Sequence, residues 1–400
     1  MRPLYLLCCG MLLVPLGAFG QQPRSSLLIK DTSDLSYQGE PDICRLDDGR
    51  LMCVFYAGWY RISLPNERHP KGGRIEVCYS ADEGSTWTPP APLYDGGDDE
   101  HPAGVVQLDN GTVCCTFYAL RETAVNLWRP TGTYVIASKD GGESWGLPYE
   151  IASLYISGSP IRQLQNGTLV LGLHRVGGAI VNGAITLSRD RGKSWSLPLD
   201  LSEDSKRLAA ETDVIQLKDG WVHALQGSVK DNMYCAASGD NGLSWSDAAS
   251  VDFRGNEPYL HRNATGVIIC ACRRPFLSLM YSTDECLTWS DPLHVDRAGG
   301  SSPSVVSLSD GSSLIVYTRL TRKGRIYSRR FRATADGIEW LASKMPVEGA
   351  PPARSLGPAP ALQPKPRPRF EFHGIRIPRA VERGASKAVN QDAAEATPEP

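Results

Sequence analysis

Apolar and polar positions alternate in short runs along most of the chain, and the runs come in pairs. Each pair opens after a Pro or Thr with an apolar stretch, reaches a turn glycine, and resumes with a second apolar stretch. The copies run from Pro41 to Gly49, Pro102 to Gly111, Pro160 to Gly167, Thr212 to Gly220, Pro258 to Gly266 and Pro303 to Gly311. The turn is Asp-Gly or Asn-Gly in every copy but the fifth, where it is Thr-Gly. An apolar strand, such a turn and a second apolar strand make a β-hairpin. Six hairpins with turn glycines 45 to 62 residues apart predict six repeated units.

A second pattern, Ser-x-Asp-x-Gly-x-[Thr/Ser]-Trp, follows each hairpin. It appears as Ser80-Ala-Asp82-Glu-Gly84-Ser-Thr86-Trp87, then from Ser138 to Trp145, Ser188 to Trp195 and Ser238 to Trp245. The copy from Ser282 to Trp289 has Cys286 in place of the glycine, and Asp336-Gly337-Ile-Glu-Trp340 is a worn sixth. The Asp can accept bonds from backbone N–H groups of a tight turn, the Gly permits positive φ, and the Trp packs on a core. A motif present in every unit serves the unit rather than catalysis. With a third strand such as Thr133-Tyr-Val-Ile and the turn into a fourth, the prediction is an all-β chain: a six-bladed β-propeller of four-stranded blades.

Composition changes this picture only at the ends. The chain has 400 residues, 42 Lys+Arg against 44 Asp+Glu, and 39 glycines, so size allows a large core and charge argues against a nucleic-acid binder. Met1-Arg2, the apolar run Leu4 to Phe19 and Ala18-Phe19-Gly20 predict a cleavable signal peptide over 1–20, with no membrane span. The protein is expected to be secreted or periplasmic. From 345 to 400 lie 11 of the 29 prolines without periodicity, which predicts a disordered Pro/Ala-rich tail. The propeller is expected over 26–344. Arg376-Ile377-Pro378 inside the tail is followed by no hairpin and is set aside. Nine cysteines remain after cleavage; Cys53, Cys115 and Cys270 read as small buried hydrophobes, while Cys44 and Cys53 allow a cross-strand bridge. The Asn110, Asn166 and Asn263 sequons coincide with hairpin turns, where turn chemistry explains them. No metal site and no cofactor are expected, the acidic run Gly96 to His101 being read as a solvated loop.

The box repeats resemble the Asp-boxes, or BNR repeats, of the sialidase superfamily, over about four-fifths of the chain. That resemblance implies a retaining glycosidase with an arginine triad, a tyrosine nucleophile with its glutamate partner, and an aspartate acid. Glu211-Thr-Asp-Val-Ile-Gln-Leu-Lys-Asp-Gly220 is similar to the segment bearing the catalytic glutamate. The pattern departs elsewhere: Glu40 stands in the arginine's place of the opening motif, Gly227 where a fourth-blade arginine is expected, and Ser302 where the tyrosine is expected.

In each unit the residue before the Pro or Thr opens a first strand at the top of the blade. Glu40, His101, Ser159, Glu211, Glu257 and Ser302 therefore converge on the axis, with Asp42, Asp213 and Glu100 beside them. Second strands end at Tyr56, Tyr118-Ala-Leu-Arg121, His174-Arg175, Arg273-Arg274 and Tyr317-Thr-Arg319, and the long loops of blades 1 and 2 add Trp59, Tyr60 and Trp128. Carboxylates with arginines and aromatic rings suit an acidic sugar. Glu211 is the expected base or nucleophile, Glu257 or Glu40 the acid. Arg121, His101, His174, Arg175, Arg273, Arg319, Trp59, Tyr118, Trp128 and Tyr317 are the expected substrate contacts. The expectation is an exported glycoside hydrolase acting on terminal, acidic sugars; the alternative is a glycan-binding propeller without chemistry. The partner in either case is carbohydrate, and the oligomeric state is not set by the sequence.

Overall fold

The computed structural model describes residues 26–28, 35–124, 127–175, 182–201, 209–228, 231–273, 276–296, 298–321 and 323–342. The predicted signal peptide, the tail and Arg274 lie outside these residues. The described chain is all-β and forms six antiparallel sheets in sequence order, a six-bladed propeller. Blade 1 comprises Tyr37–Arg45, Leu51–Gly58, Arg74–Ser80 and Ala91–Tyr94, from the axis outward. Blades 2 to 6 repeat the plan with first strands Asp99–Gln107, Arg162–Gln163, Ala209–Gln216, Asn256–Arg262 and Gly300–Ser307. The short strand Tyr155–Ile156 adds to the top of blade 3. The ring closes on blade 6, whose third strand Ile326–Thr334 pairs with both Gly337–Leu341 and the N-terminal Ser26–Leu27.

The core lies between blades, and the period of two explains why. Every residue of Leu51–Gly58 is buried. Leu51, Cys53, Phe55 and Ala57 face the cluster shared with blade 6, while Met52 and Val54 face the one shared with blade 2. A strand covered on both faces reads as a continuous apolar run. Six such clusters fill the six interfaces.

That alternation corrects one expectation. Cys44 opposes Met52 and Cys53 opposes Ile43, so the two cysteines face different clusters and cannot bridge. The turn is longer than a two-residue connection: Leu46 N–H donates to the Arg50 carbonyl, and the register slips by one. Cys53, Cys115 and Cys270 are fully buried, as expected of small hydrophobes. The sequon asparagines act in turns, and Asn263 is itself buried, accepting from the Thr265 and Val267 N–H groups.

The Asp-boxes work as their sequence implies. Asp240 accepts from the Leu243 and Ser244 N–H groups and from the Ser238 and Ser244 hydroxyls, and Trp245 packs on the blade 3–blade 4 core. Cys286 adopts φ 68°, the conformation its glycine counterparts use. The bonds hold the Asp140, Asp190, Asp240 and Asp284 carboxyls down at about 2, chiefly through the hydroxyl and N–H of the following Ser or Thr. Lowered folded values stabilise the protein above the unfolded value of 3.8, and that contribution is lost as pH falls toward 2. Urea midpoints measured from pH 5 to 2 should therefore drop, and Asp140→Ala should drop less steeply than wild type; parallel slopes would refute the assignment.

Candidate active site

The axial ends of the first strands are built by bulges. Register shifts fall between Gly39 and Asp42, Pro102 and Gly104, Ala209 and Thr212, Asn256 and Tyr259, and Ser301 and Ser304. At three of them the residue before proline is left-handed: Glu40 at φ 52°, Glu257 at φ 53° and Ser302 at φ 50°. Non-glycine residues rarely adopt this conformation, least of all before proline, and it costs on the order of 1–3 kcal/mol each. The strain turns these side chains from the blade faces toward the axis.

There they line a depression of about 130 Å³ together with Asp42, Arg61, Tyr118, His174, Glu211 and Tyr259. Glu257 is gripped by Arg273, with Nη2 at 2.9 Å from Oε1, and by the Ser302 N–H at 2.8 Å from Oε2. Burial and the neighbouring Glu211 charge nonetheless push its carboxyl up to about 7, against the pull of Arg273 and Arg61. The ion pair and the upward shift point in opposite directions; burial at the axis, reinforced by a second carboxylate, outweighs one guanidinium. Glu211 packs on Gly158, where an added Cβ would lie 2.8 Å from its Cγ.

Glu40 donates its N–H to Thr318 Oγ1 at 2.8 Å, and its Oε2 lies 2.9 Å from His101 Nδ1. The other ring nitrogen of His101 lies 3.2 Å from Asp99 Oδ2. His174 is neutral at pH 7, since desolvation lowers it to about 4, and its Nδ1 has no partner among the described residues.

Of the expected contacts, Glu40, Glu211, Glu257, Tyr118 and His174 line the depression, and His101 and Arg273 brace it from behind. The other arginines are turned to carboxylates of their own: Arg121 to Asp98, Arg175 to Asp200 and Arg319 to Asp296. Tyr317 is a correction, because it is fully buried and gives its hydroxyl to Asp296, so it braces Arg319 and touches no surface ligand. Trp59 stacks on His69 at 4.3 Å, and Trp128 stands exposed on the long blade 2 hairpin; neither lines the depression.

Arg61, from the long blade 1 loop, is the lining cation that sequence reasoning missed. It has no salt bridge among the described residues, and it lies close enough to Glu40 and Glu257 for their charges to raise it. Its signal was the unusual length of its loop. At Gly227, where the resemblance implies an arginine, a Cβ would meet Asn256 Cα at 2.8 Å, so a longer side chain there would displace the blade 5 backbone. The acidic run Gly96 to His101 is not the solvated loop expected: Asp99, Glu100 and His101 are buried at the start of the strand Asp99–Gln107, while Asp98 pairs with Arg121 and Asp95 with Lys71, and no metal-binding group of three donors is found among the described residues.

The BNR repeat-like domain family matches residues 163–334. Among curated proteins, none matches this sequence. Among solved structures, a protein of unknown function from Dyadobacter fermentans superposes with a TM-score of 0.66 at 18% identity, covering 80% of this chain and 99% of that one. The Hadza microbial sialidase Hz136 gives 0.62 at 16% identity, over 76% of this chain and 68% of its own. The NanB sialidase of Streptococcus pneumoniae gives 0.58 at 12%, over 76% and 69%. Likeness at these identities is likeness of fold: this chain is a six-bladed propeller similar in fold to these sialidases, with a BNR repeat-like match over residues 163–334.

Proposed function

We propose that the axial depression hydrolyses a glycosidic bond to a terminal acidic sugar. Glu257 is the general acid, Glu211 the base or nucleophile, and Arg61 the cation for the sugar's carboxylate. The observation that carries this reading is the raised carboxyl of Glu257 at the axis, beside the charge of Glu211. A group at about 7 still carries a proton in a large share of molecules at neutral pH and can give it to the leaving oxygen. Glu40 faces a cation through His101 and serves as a fixed acceptor, which leaves Glu257 as the acid of the two candidates. Arg61 takes the recognition role expected of Arg175, Arg273 and Arg319: Arg175 and Arg319 are spent on Asp200 and Asp296, and Arg273 is held at Glu257. The absence of a tyrosine at Ser302 and of an arginine at Glu40 supports a substrate other than that of the neighbouring sialidases. Export fits the apolar leader Leu4 to Phe19, and among the described residues no helix is long and apolar enough to cross a membrane.

Sugar release by the full chain from a panel of uronic-acid-terminated, sialylated and neutral glycans tests this reading. Wild type should release one acidic sugar, and Glu211→Gln should release none. Equal ligand binding by both proteins with no release by either would make the protein a glycan-binding propeller.

A further inference from the structure

His101 is 1% exposed, and both its ring nitrogens face carboxylate oxygens: Nδ1 that of Glu40 at 2.9 Å, Nε2 that of Asp99 at 3.2 Å. A neutral imidazole carries one N–H, so one of those carboxylates would meet a lone pair; only the imidazolium donates to both. Its two faces are also occupied. Tyr56 stacks on one at 4.1 Å and 7°, Tyr118 on the other at 5.0 Å and 8°. Aromatic faces attract a cation, and a charge so enclosed has no water to compete for it.

The far end of this stack is anchored. Asp99 accepts from the Tyr56 hydroxyl at 2.8 Å, the Ser63 N–H at 2.8 Å and the Gly73 N–H at 3.0 Å. The near end is the Glu40 carboxylate, which carries a strained φ and lines the depression. A chain of contacts therefore runs from the blade 1 loop through Asp99 and His101 to a group at the axis.

We propose that His101 is a permanent cation and a positioning residue: clamped by Tyr56, Tyr118 and Asp99, it holds the Glu40 carboxylate over the axial depression where the transition-state charge of the bound sugar develops. The catalytic half of this assignment rests on the hydrolase reading above; the cation itself does not. The charged and titratable groups facing His101 are Glu40 and Tyr56 from blade 1 and Asp99 and Tyr118 from blade 2. Burial would lower the imidazole, but Glu40 and Asp99 together raise it to about 9. Such a group keeps its proton throughout the neutral range, so it is a fixed charge and not a proton shuttle.

Nitrogen NMR of the ligand-free full chain labelled with ¹⁵N-histidine tests the cation, the His101 signals being those lost in His101→Gln. Both ring nitrogens should remain protonated at pH 8. A His101 ring with one protonated nitrogen at pH 8 would overturn the proposal, whatever the protein does to glycans. On the glycan that wild type hydrolyses, His101→Gln should lower kcat by about 30-fold or more with KM within about threefold, the pattern of a lost transition-state interaction. His101→Lys, which restores a donor cation, should recover most of that loss. A change in KM alone, or no recovery with Lys while the fold is intact, would reduce His101 to a packing residue. Failure of wild type to release any sugar would refute the hydrolase reading and leave the NMR result to decide the cation.

Discussion

Glu257→Gln should reduce sugar release by about 10²- to 10⁴-fold, the range lost when a positioned acid is removed, and should abolish one limb of the pH profile. The sign follows from the raised carboxyl. Glu257 carries its proton below about 7, so kcat/KM in wild type should fall as pH rises through that value. The residual activity of Glu257→Gln has no such proton to lose and should be flat there. Stability carries the same signature in the absence of substrate. A carboxyl raised on folding favours the folded state fully below its unfolded value of 4.5, and this contribution is lost as pH rises through about 7. The urea midpoint of Glu257→Gln should therefore decline less than that of wild type between pH 5 and 8. An alkaline limb that persists unchanged in the variant would take the acid role away from Glu257.

The placement of that residue was legible in the sequence, although its conformation was not. Spacing from the turn glycines identifies Glu40, Glu211 and Glu257 as equivalent positions of three blades, because a repeated hairpin puts equivalent residues at one end of the ring. The bulge that makes Glu40, Glu257 and Ser302 left-handed has no such marker, since the following proline argues for extended backbone. Second-strand arginines were located correctly along the chain, but their direction depends on acidic residues in unrepeated segments. Asp98 and Asp296 stand just before a first strand, and Asp200 lies on a fourth strand; each captures the arginine beside it. Arg61 was hidden for the same reason, being in a loop that no other blade repeats. Cys44 and Cys53 failed on a single residue of register, which in a strand exchanges one face for the other.

Two aspartates at the same place in blades 1 and 4 should respond in opposite ways to removal of their charge. Asp42 donates nothing and accepts the Val105 N–H of blade 2 at 2.6 Å; Asp213 accepts the Leu260 N–H of blade 5 at 2.6 Å. Each thus ties its blade to the next. Asp213, however, also holds the Arg162 guanidinium of blade 3 through two bonds of 2.9 and 2.6 Å, and Arg162 in turn lies 4.7 Å over the Tyr259 ring and donates to the Leu260 carbonyl. One carboxylate therefore joins three blades, and it is fully buried. Asp213→Asn leaves Arg162 without its counter-ion and should cost about 3 kcal/mol or more, as when one partner of a buried ion pair is removed. Arg162→Met combined with Asp213→Leu should recover much of this, because a pair replaced together leaves no stranded charge. Asp42 has no guanidinium to strand. Burial pushes its carboxyl up to about 6, against bonds from Ser304 and Val105, and its Oδ1 has no partner among the described residues. Its stabilising contribution is complete below 3.8 and is lost between there and about 6, so Asp42→Asn should gain stability relative to wild type as pH rises from 5 to 8. Urea midpoints of the two asparagine variants at both pH values make the comparison. Equal losses at the two sites would show that the bridging N–H bonds, and not the charge on Arg162, set the strength of these joints.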